Sequence, residues 1–360
     1  MTARGGMMND TLTFRWAEPG DLPAYEAFVA ETYGPDSIQA IPGRARWLYW
    51  ENPLGLHVAL CLQGERIVGA CGHLPYPVVV GGEPLEAAFG IDMMVAPELR
   101  RRGIARKLLE MRLARFELSL SSGQSNEMAA LYETASAEDL GPMMQGWWRR
   151  QLPRPGRPRR FLRELASWAR PRLRTRAGTA DRRPIELDEA ARFIDGWTNH
   201  GSVPGRASRW EAWFRWRYGG TIYGDHRFWH VRVPKSVQGI LVSRIEKDQE
   251  SIVQCFCAET ALPAFLRAAG RTSPESEVSL CGSGRELAGA MSAAGYLSRS
   301  RASRIVAVSA SGRLTSGQDL RNVVLWAGAS DIDLLRWPHP ERTGALDRPR
   351  TSSPLSGQRS

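Results

Sequence analysis

Apolar and polar positions along this chain alternate with two periods, near two and near 3.6, and the switches between them outline the elements. Leu12-Thr13-Phe14-Arg15-Trp16 alternates as a half-buried strand does and stops at Pro19-Gly20-Asp21, a turn and helix-start signal. From Asp21 to Tyr33 the apolar residues Leu22, Tyr25, Phe28 and Val29 fall at helical spacing. Residues 57–62 and 66–73 read as apolar strands joined by Gln63-Gly64-Glu65, and 77–80 and 85–95 flank a turn at Gly81-Gly82. The spacing then predicts a helix from 103 to about 118, a strand over 128–134 and a short helix over 137–145 that Gly146 stops. That order gives an α/β fold: a mixed, mostly antiparallel sheet flanked by helices.

From Ile185 the pattern recurs. Trp213-Phe214-Arg215-Trp216-Arg217-Tyr218 echoes Trp47-Leu48-Tyr49-Trp50, and the strand 238–242 echoes 66–69. Residues 252–257 with a helix over 261–269 stand where 91–95 and the helix from 103 stood. The strand 278–281 and the helix 285–294, ending at Gly295-Tyr296, close the series. Their shared order predicts a duplicated fold. The expected organisation is a first unit over 11–150, a basic Pro- and Arg-rich linker over 151–184, a second unit over 185–336 and a disordered tail over 337–360.

Composition changes this picture little. Of 360 residues, 42% are hydrophobic and 24% charged, the range of a soluble globular chain, and no apolar run reaches the roughly 18–20 residues of a membrane span. With no signal-peptide core at the N-terminus, a cytoplasmic location is expected. The net charge of +10 is concentrated between Arg149 and Arg183. That stretch reads either as a solvated linker or as a surface that meets acidic lipid or polyanions. No helix-turn-helix, finger or RNP pattern accompanies it, so a specific nucleic-acid partner is not expected. Five cysteines without a CxxC pair argue against disulfides and against structural zinc, and no metal is expected.

The chemistry-bearing string is Ile91-Asp92-Met93-Met94-Val95-Ala96-Pro97-Glu98-Leu99-Arg100-Arg101-Arg102-Gly103-Ile104-Ala105. A strand runs into a proline turn and a short loop whose glycine opens a helix. Backbone N–H groups of such a loop, with the unsatisfied N–H groups of the first helical turn, converge on one point and attract a pyrophosphate. Gly103 admits close approach, Ala105 keeps the next contact small, and the three arginines add attraction for phosphate. The second unit has Ala258-Glu259-Thr260-Ala261-Leu262-Pro263-Ala264-Phe265 there instead, and is expected to be degenerate.

The string resembles motif A of the GNAT (GCN5-related) N-acetyltransferases, Arg/Gln-x-x-Gly-x-Gly/Ala, in Arg100, Gly103 and Ala105, and the resemblance extends from Thr13 to about Trp148. It implies an acyl-CoA cosubstrate, acetyl-CoA first, with its pyrophosphate on the loop at Arg100, Arg101, Arg102, Gly103, Ile104 and Ala105. It also implies pantetheine along Met94 and Val95, on a strand splayed from its neighbour, taken here as 128–134. The implied reaction is direct attack of a primary amine on the thioester. Tyr49-Trp50-Glu51-Asn52-Pro53 and the segment from Trp326 to Asp333 are similar to a tandem subgroup of bacterial surface-polysaccharide genes, which points to an amino-sugar-like acceptor. The alternative function is a non-catalytic acyl-CoA-binding sensor or scaffold.

The remaining candidates carry two readings each. Asp92 either handles the amine's proton or ammonium, or pairs with a nearby arginine. Tyr132 either protonates the leaving thiolate, because Pro142 stands where many GNAT enzymes have a tyrosine, or packs in the core. His73, beside Tyr76, is either a base or a structural hydrogen-bonding group. Glu51 and Asn52, with Trp47 and Trp50 near them, and Trp213, Trp216, Tyr218 and Tyr223 either recognise an acceptor or fill the core.

Overall fold

The computed structural model describes residues 11–80, 83–122, 125–135, 137–149, 180–198, 207–220, 225–233, 237–246, 249–257, 261–283, 285–309 and 325–326, with single residues of the linker. The rest of the linker and the tail after 326 lie outside the described residues, as does Tyr223.

The first half contains strands β1 (Leu12–Trp16), β2 (Val58–Gln63), β3 (Arg66–Val80), β4 (Glu83–Val95), β5 (Leu118–Ser122) and β6 (Glu138–Arg149). Its helices are α1 (Leu22–Tyr33), α2 (Ile104–Arg115) and α3 (Asn126–Thr134), with a single wide helical turn at Arg46–Trp50. The second half contains β7 (Asp181–Ile185), β8 (Arg227–Val233), β9 (Val237–Glu246), β10 (Gln249–Phe256), β11 (Glu277–Ser283), β12 (Leu297–Ser309) and β13 (Leu325–Trp326). Its helices are α4 (Leu187–Thr198), α5 (Ala207–Gly219), α6 (Leu262–Thr272) and α7 (Arg285–Ala294).

Three expectations need correction. The helix expected to reach 118 ends at Arg115, where Phe116 turns extended, and the apolar alternation of Leu118-Ser119-Leu120-Ser121-Ser122 forms β5. The strand expected over 128–134 is helix α3: Ser125 caps it by accepting a hydrogen bond from the Met128 N–H, and Ala129 and Ala130 favour a helix. The helix expected over 137–145 is strand β6, and Gly146 sits inside it rather than at a stop. A Cβ at Gly146 would lie 2.6 Å from the Met291 sulfur, so the glycine lets α7 pack on the sheet.

All strands join one sheet in the order β1-β2-β3-β4-β5-β12-β6-β11-β10-β9-β8-β7, with β13 on β11. Pairing is antiparallel except at β4/β5 and β10/β11, which are parallel. The order is symmetric about its middle, and there the halves exchange strands. β12, late in the chain, pairs with β5 from Ile305↔Ser122 to Ser309↔Leu118. β6, from the first half, pairs with β11 from Glu277↔Arg149 to Gly282↔Met144. The cores follow the exchange: Ile305 and Ala307 bury with Leu118 and Leu120, whereas Trp148 buries with Phe265, Leu287 and Met291.

The repeated aromatic segments meet between the halves. Trp216 stacks on Trp47 with ring centroids 4.7 Å apart and donates from Nε1 to the Trp47 carbonyl at 2.9 Å. Tyr76, Phe89, Trp213 and Phe214 belong to the same continuous core. Five free cysteines are present among the described residues: Cys61, Cys71, Cys255 and Cys281 are buried and Cys257 is partly so. Among those residues, no helix is long and apolar enough to cross a membrane.

Candidate active site

The parallel pairing of β4 with β5 runs only from Ala87↔Leu118 to Phe89↔Leu120. Beyond Phe89, β4 continues to Val95 and stays paired with β3, but among the described residues it no longer pairs with β5. The strands fork there, and the free edge of β4 carries unspent backbone N–H and C=O groups. The neighbouring strand is β5, not the 128–134 segment expected from the pattern.

Beyond the open end of this fork, Pro97–Leu99 makes one tight turn and the chain enters α2. Arg101 and Gly103 both have left-handed backbones, with φ +65° and +80°. Gly103 caps α2 without a side-chain hydrogen bond to the first turn, so the helical N–H groups there remain available to an anion. Arg100, Arg101, Arg102 and Gly103 are exposed, Ile104 is buried as an anchor, and Ala105 is half-buried. Arg100 Nε donates to the Val95 carbonyl at 3.3 Å, which ties the loop to the strand end. Met94 is buried and Val95 half-buried. This arrangement fits a pyrophosphate at the loop with an extended amide-bearing chain along β4.

The fork region of β4 also has a bulge. Gly72↔Ile91 and Ala70↔Met94 leave one extra residue on β4, and Asp92 takes a left-handed φ of +50°. Its Oδ2 accepts from Arg44 Nη1 at 2.6 Å and from the Tyr49 hydroxyl at 2.7 Å. Both partners of the ion pair are shut from solvent, with side-chain exposures of 2% and 3%. The carboxylate is therefore paired with an arginine, and its Oδ2 already has two donors.

The other candidates sit on several elements, with His73 and Tyr132 both near Arg112, whose guanidinium lies over Gly90 of β4. Tyr132 lies on α3, buried, and its hydroxyl accepts from the guanidinium of Arg112, itself buried. It is not on the strand beside the fork. His73 is buried on the α2 side of the sheet, edge-on to Trp16 and Phe116. Asn52 spends its side chain locally, donating to the Leu48 carbonyl at 3.4 Å and accepting from the Leu54 N–H at 2.9 Å. Glu51 is exposed at the end of the wide turn. Tyr218 is buried and donates to the Gln254 side chain, whose Nε2 donates to the Tyr76 hydroxyl at 3.1 Å. Trp216 is half-buried against Trp47. The pattern missed Arg44 altogether, because nothing local marks an arginine whose partner lies 48 residues away.

Burial, with the Arg112 charge nearby, pushes the His73 imidazole well below its ordinary range, so it is neutral in the folded chain. Once unfolded it takes a proton below about pH 6.5. The unfolded state then binds the extra proton, and stability falls by about 1.4 kcal/mol per pH unit as pH drops below that value. Urea melts at pH 7.5 and 5.5 should show this loss, and His73→Gln should reduce it, with His226, which burial also pushes down, contributing alongside. A loss unchanged in His73→Gln would mean that the folded chain protonates His73.

The second half has a matching fork with a different outcome. β10 and β11 pair in parallel only from Gln249↔Glu277 to Ile252↔Leu280, and β10 then bulges between Ile252 and Gln254. Since β6 holds the far edge of β11, β13 pairs with Gly282 and Ser283 on the edge that β10 has left. The chain's own strand fills this fork.

The family model described as an acetyltransferase (GNAT) domain matches residues 13–134. No curated protein matches the chain in sequence. Among solved structures, it is similar to a GCN5-related N-acetyltransferase from Kribbella flavida (TM-score 0.53, 14% identity, 83% of this chain and 72% of that one covered). A GCN5-related N-acetyltransferase from Anabaena variabilis gives TM-score 0.52 at 13% identity, covering 82% and 72%. A probable N-acyltransferase from Enterococcus faecalis gives 0.54 at 14% identity, again covering 82% and 72%. These are likenesses of fold, and they extend well beyond residues 13–134. The loop, the fork and the domain match agree: the chain carries a GNAT acetyltransferase domain and is an acetyltransferase that draws its acyl group from acyl-CoA.

Proposed function

We propose that the chain moves an acetyl group, or another short acyl group, from CoA to a primary amine at the β4/β5 fork. The observation that carries this reading is the open fork ending at Phe89↔Leu120, with the left-handed, arginine-bearing loop at its mouth. Pyrophosphate lies on Arg100–Ala105, and pantetheine amides take the free edge of β4 through Met94 and Val95. The neutral amine nitrogen attacks the thioester carbonyl and the C–N bond forms. The C–S bond breaks with CoA leaving as its thiolate, and the proton lost from nitrogen passes through water to that thiolate. Holding both reactants in the fork supplies proximity, and backbone dipoles there polarise the carbonyl. In this reading neither Tyr132, bonded to the buried Arg112, nor His73, buried on β3 opposite Gly90, takes the amine's proton.

The proposed acceptor is an amino sugar or its nucleotide, with Glu51 exposed to meet an ammonium. Trp216 and Tyr218 act by packing the second half against the first, behind the acceptor side. The filled second fork supports a single cofactor site per chain.

The test is release of CoA thiol by purified protein with acetyl-CoA and a panel of amines, amino sugars included. Amine-dependent release accompanied by acylated product is expected. Tight acyl-CoA binding without release for any amine would favour the sensor or scaffold reading.

A further inference from the structure

We propose that Arg44 and Tyr49 are positioning residues that, with Asp92, lock the β4 bulge in the conformation that presents its free edge to the fork. The proposal rests on the acyl-CoA reading above.

A left-handed backbone is unfavourable for an L-residue, and aspartate is among the residues that tolerate it best. Something must hold it, and here the side chain does. Arg44 and Tyr49 both donate to Asp92 Oδ2, at 2.6 and 2.7 Å, from one short segment of chain. Tyr49 is fixed in turn: its ring packs on Gly72 of β3, opposite the bulge, and stands edge-on to the buried Tyr25 of α1 at 5.8 Å. The bulge is thus clamped from the α1 face of the sheet while its other edge faces the fork.

Stability alone is a poor reason for such a clamp. A buried ion pair loses solvation that its mutual attraction only partly repays, and well-packed apolar residues do as well or better. The second half offers an internal comparison. Tyr218, two residues after the tryptophan that stacks on Trp47, donates to Gln254 at the β10 bulge, just as Tyr49 does to Asp92 two residues after Trp47. The tyrosine clamp therefore recurs, but with a neutral amide where the fork is filled by β13 and an arginine-paired carboxylate where the fork is open. A base would need an oxygen open to the acceptor, whereas Oδ2 is committed to two donors and the side chain is shut from solvent.

Single removal of Arg44 would strand a buried carboxylate and risk the fold, so the informative variants are Tyr49→Phe and the double variant Arg44→Met/Asp92→Asn, which removes both charges. Circular dichroism establishes that each is folded. Calorimetry with CoA should show affinity lowered by less than about tenfold, because the loop that holds the pyrophosphate is untouched and only the β4 edge that takes the pantetheine is disturbed. Acetyl transfer should fall by about tenfold to a hundredfold in kcat, the scale of a small misplacement of reacting groups. That loss should be the same at every pH from 6.5 to 9. A loss that shrinks as pH rises would make Asp92 the proton acceptor and overturn the proposal, as would folded variants with undiminished kcat. Failure of the acyl-CoA reading would look different: the unaltered chain itself would not bind CoA.

Discussion

A chain ending at Arg150 should yield no folded protein, although the domain match ends well before that point. β5 would lose β12, which covers its outer edge from Leu118 to Ser122, and β6 would lose both β12 and β11. An open, apolar strand edge pairs with other chains rather than staying bare. The same cut would uncover Tyr76, Phe89 and Trp47, which the second half buries through Trp213, Phe214 and Trp216. Expression of 1–150 should give aggregate or a particle without a cooperative melt, read by size exclusion and circular dichroism. The full chain cut once within 151–179 should stay together as one particle, because the exchanged strands tie its pieces. A soluble 1–150 fragment that melts cooperatively and binds acetyl-CoA would show that the exchange is dispensable.

Gly103→Glu should abolish acyl-CoA binding while the fold survives. The position is exposed, and a Cβ there meets nothing within 4 Å, so no clash threatens the core. Its φ of +80° makes a side chain there cost about 1 kcal/mol or more. The decisive effect falls on the ligand. A carboxylate about 4 Å from a phosphate charge, at an effective dielectric near 20, opposes binding by about 4 kcal/mol, or roughly a thousandfold. Gly103→Asn separates charge from strain, since asparagine tolerates the left-handed region. It should keep most of the affinity in calorimetry. Equal affinity for CoA in the glutamate variant would put the pyrophosphate elsewhere.

The local pattern carried the local elements. β1 and α7 agree with their expected spans, and α1 starts one residue later than expected, because period and turn residues mark both ends. The loop from Pro97 to Gly103 was legible for the same reason: its proline, glycine and arginines lie in one run. Between 116 and 149 the signals conflict. Leu118–Ser122 follows a helix without a glycine or proline, and Gly141-Pro142 interrupts a strand that resumes, with Gly141 at φ +96° and register shifts in its pairing to β12. The exchange of β6 and β12 has no local signature at all, since it depends on which distant edges meet. Nor does sequence mark the Asp92–Arg44 pair, made by a bulge and a turn 48 residues apart.

The second half shows how a repeat can keep its scaffold and lose its site. It retains the parallel strand pair, the bulge and the tyrosine at it, yet β13 occupies the space that the first fork leaves open. One measurement bears on this division most directly: calorimetric titration of the full chain with acetyl-CoA. One site per chain is predicted, and Gly103→Glu should remove it entirely. Two sites per chain, or one that persists in Gly103→Glu, would contradict the account.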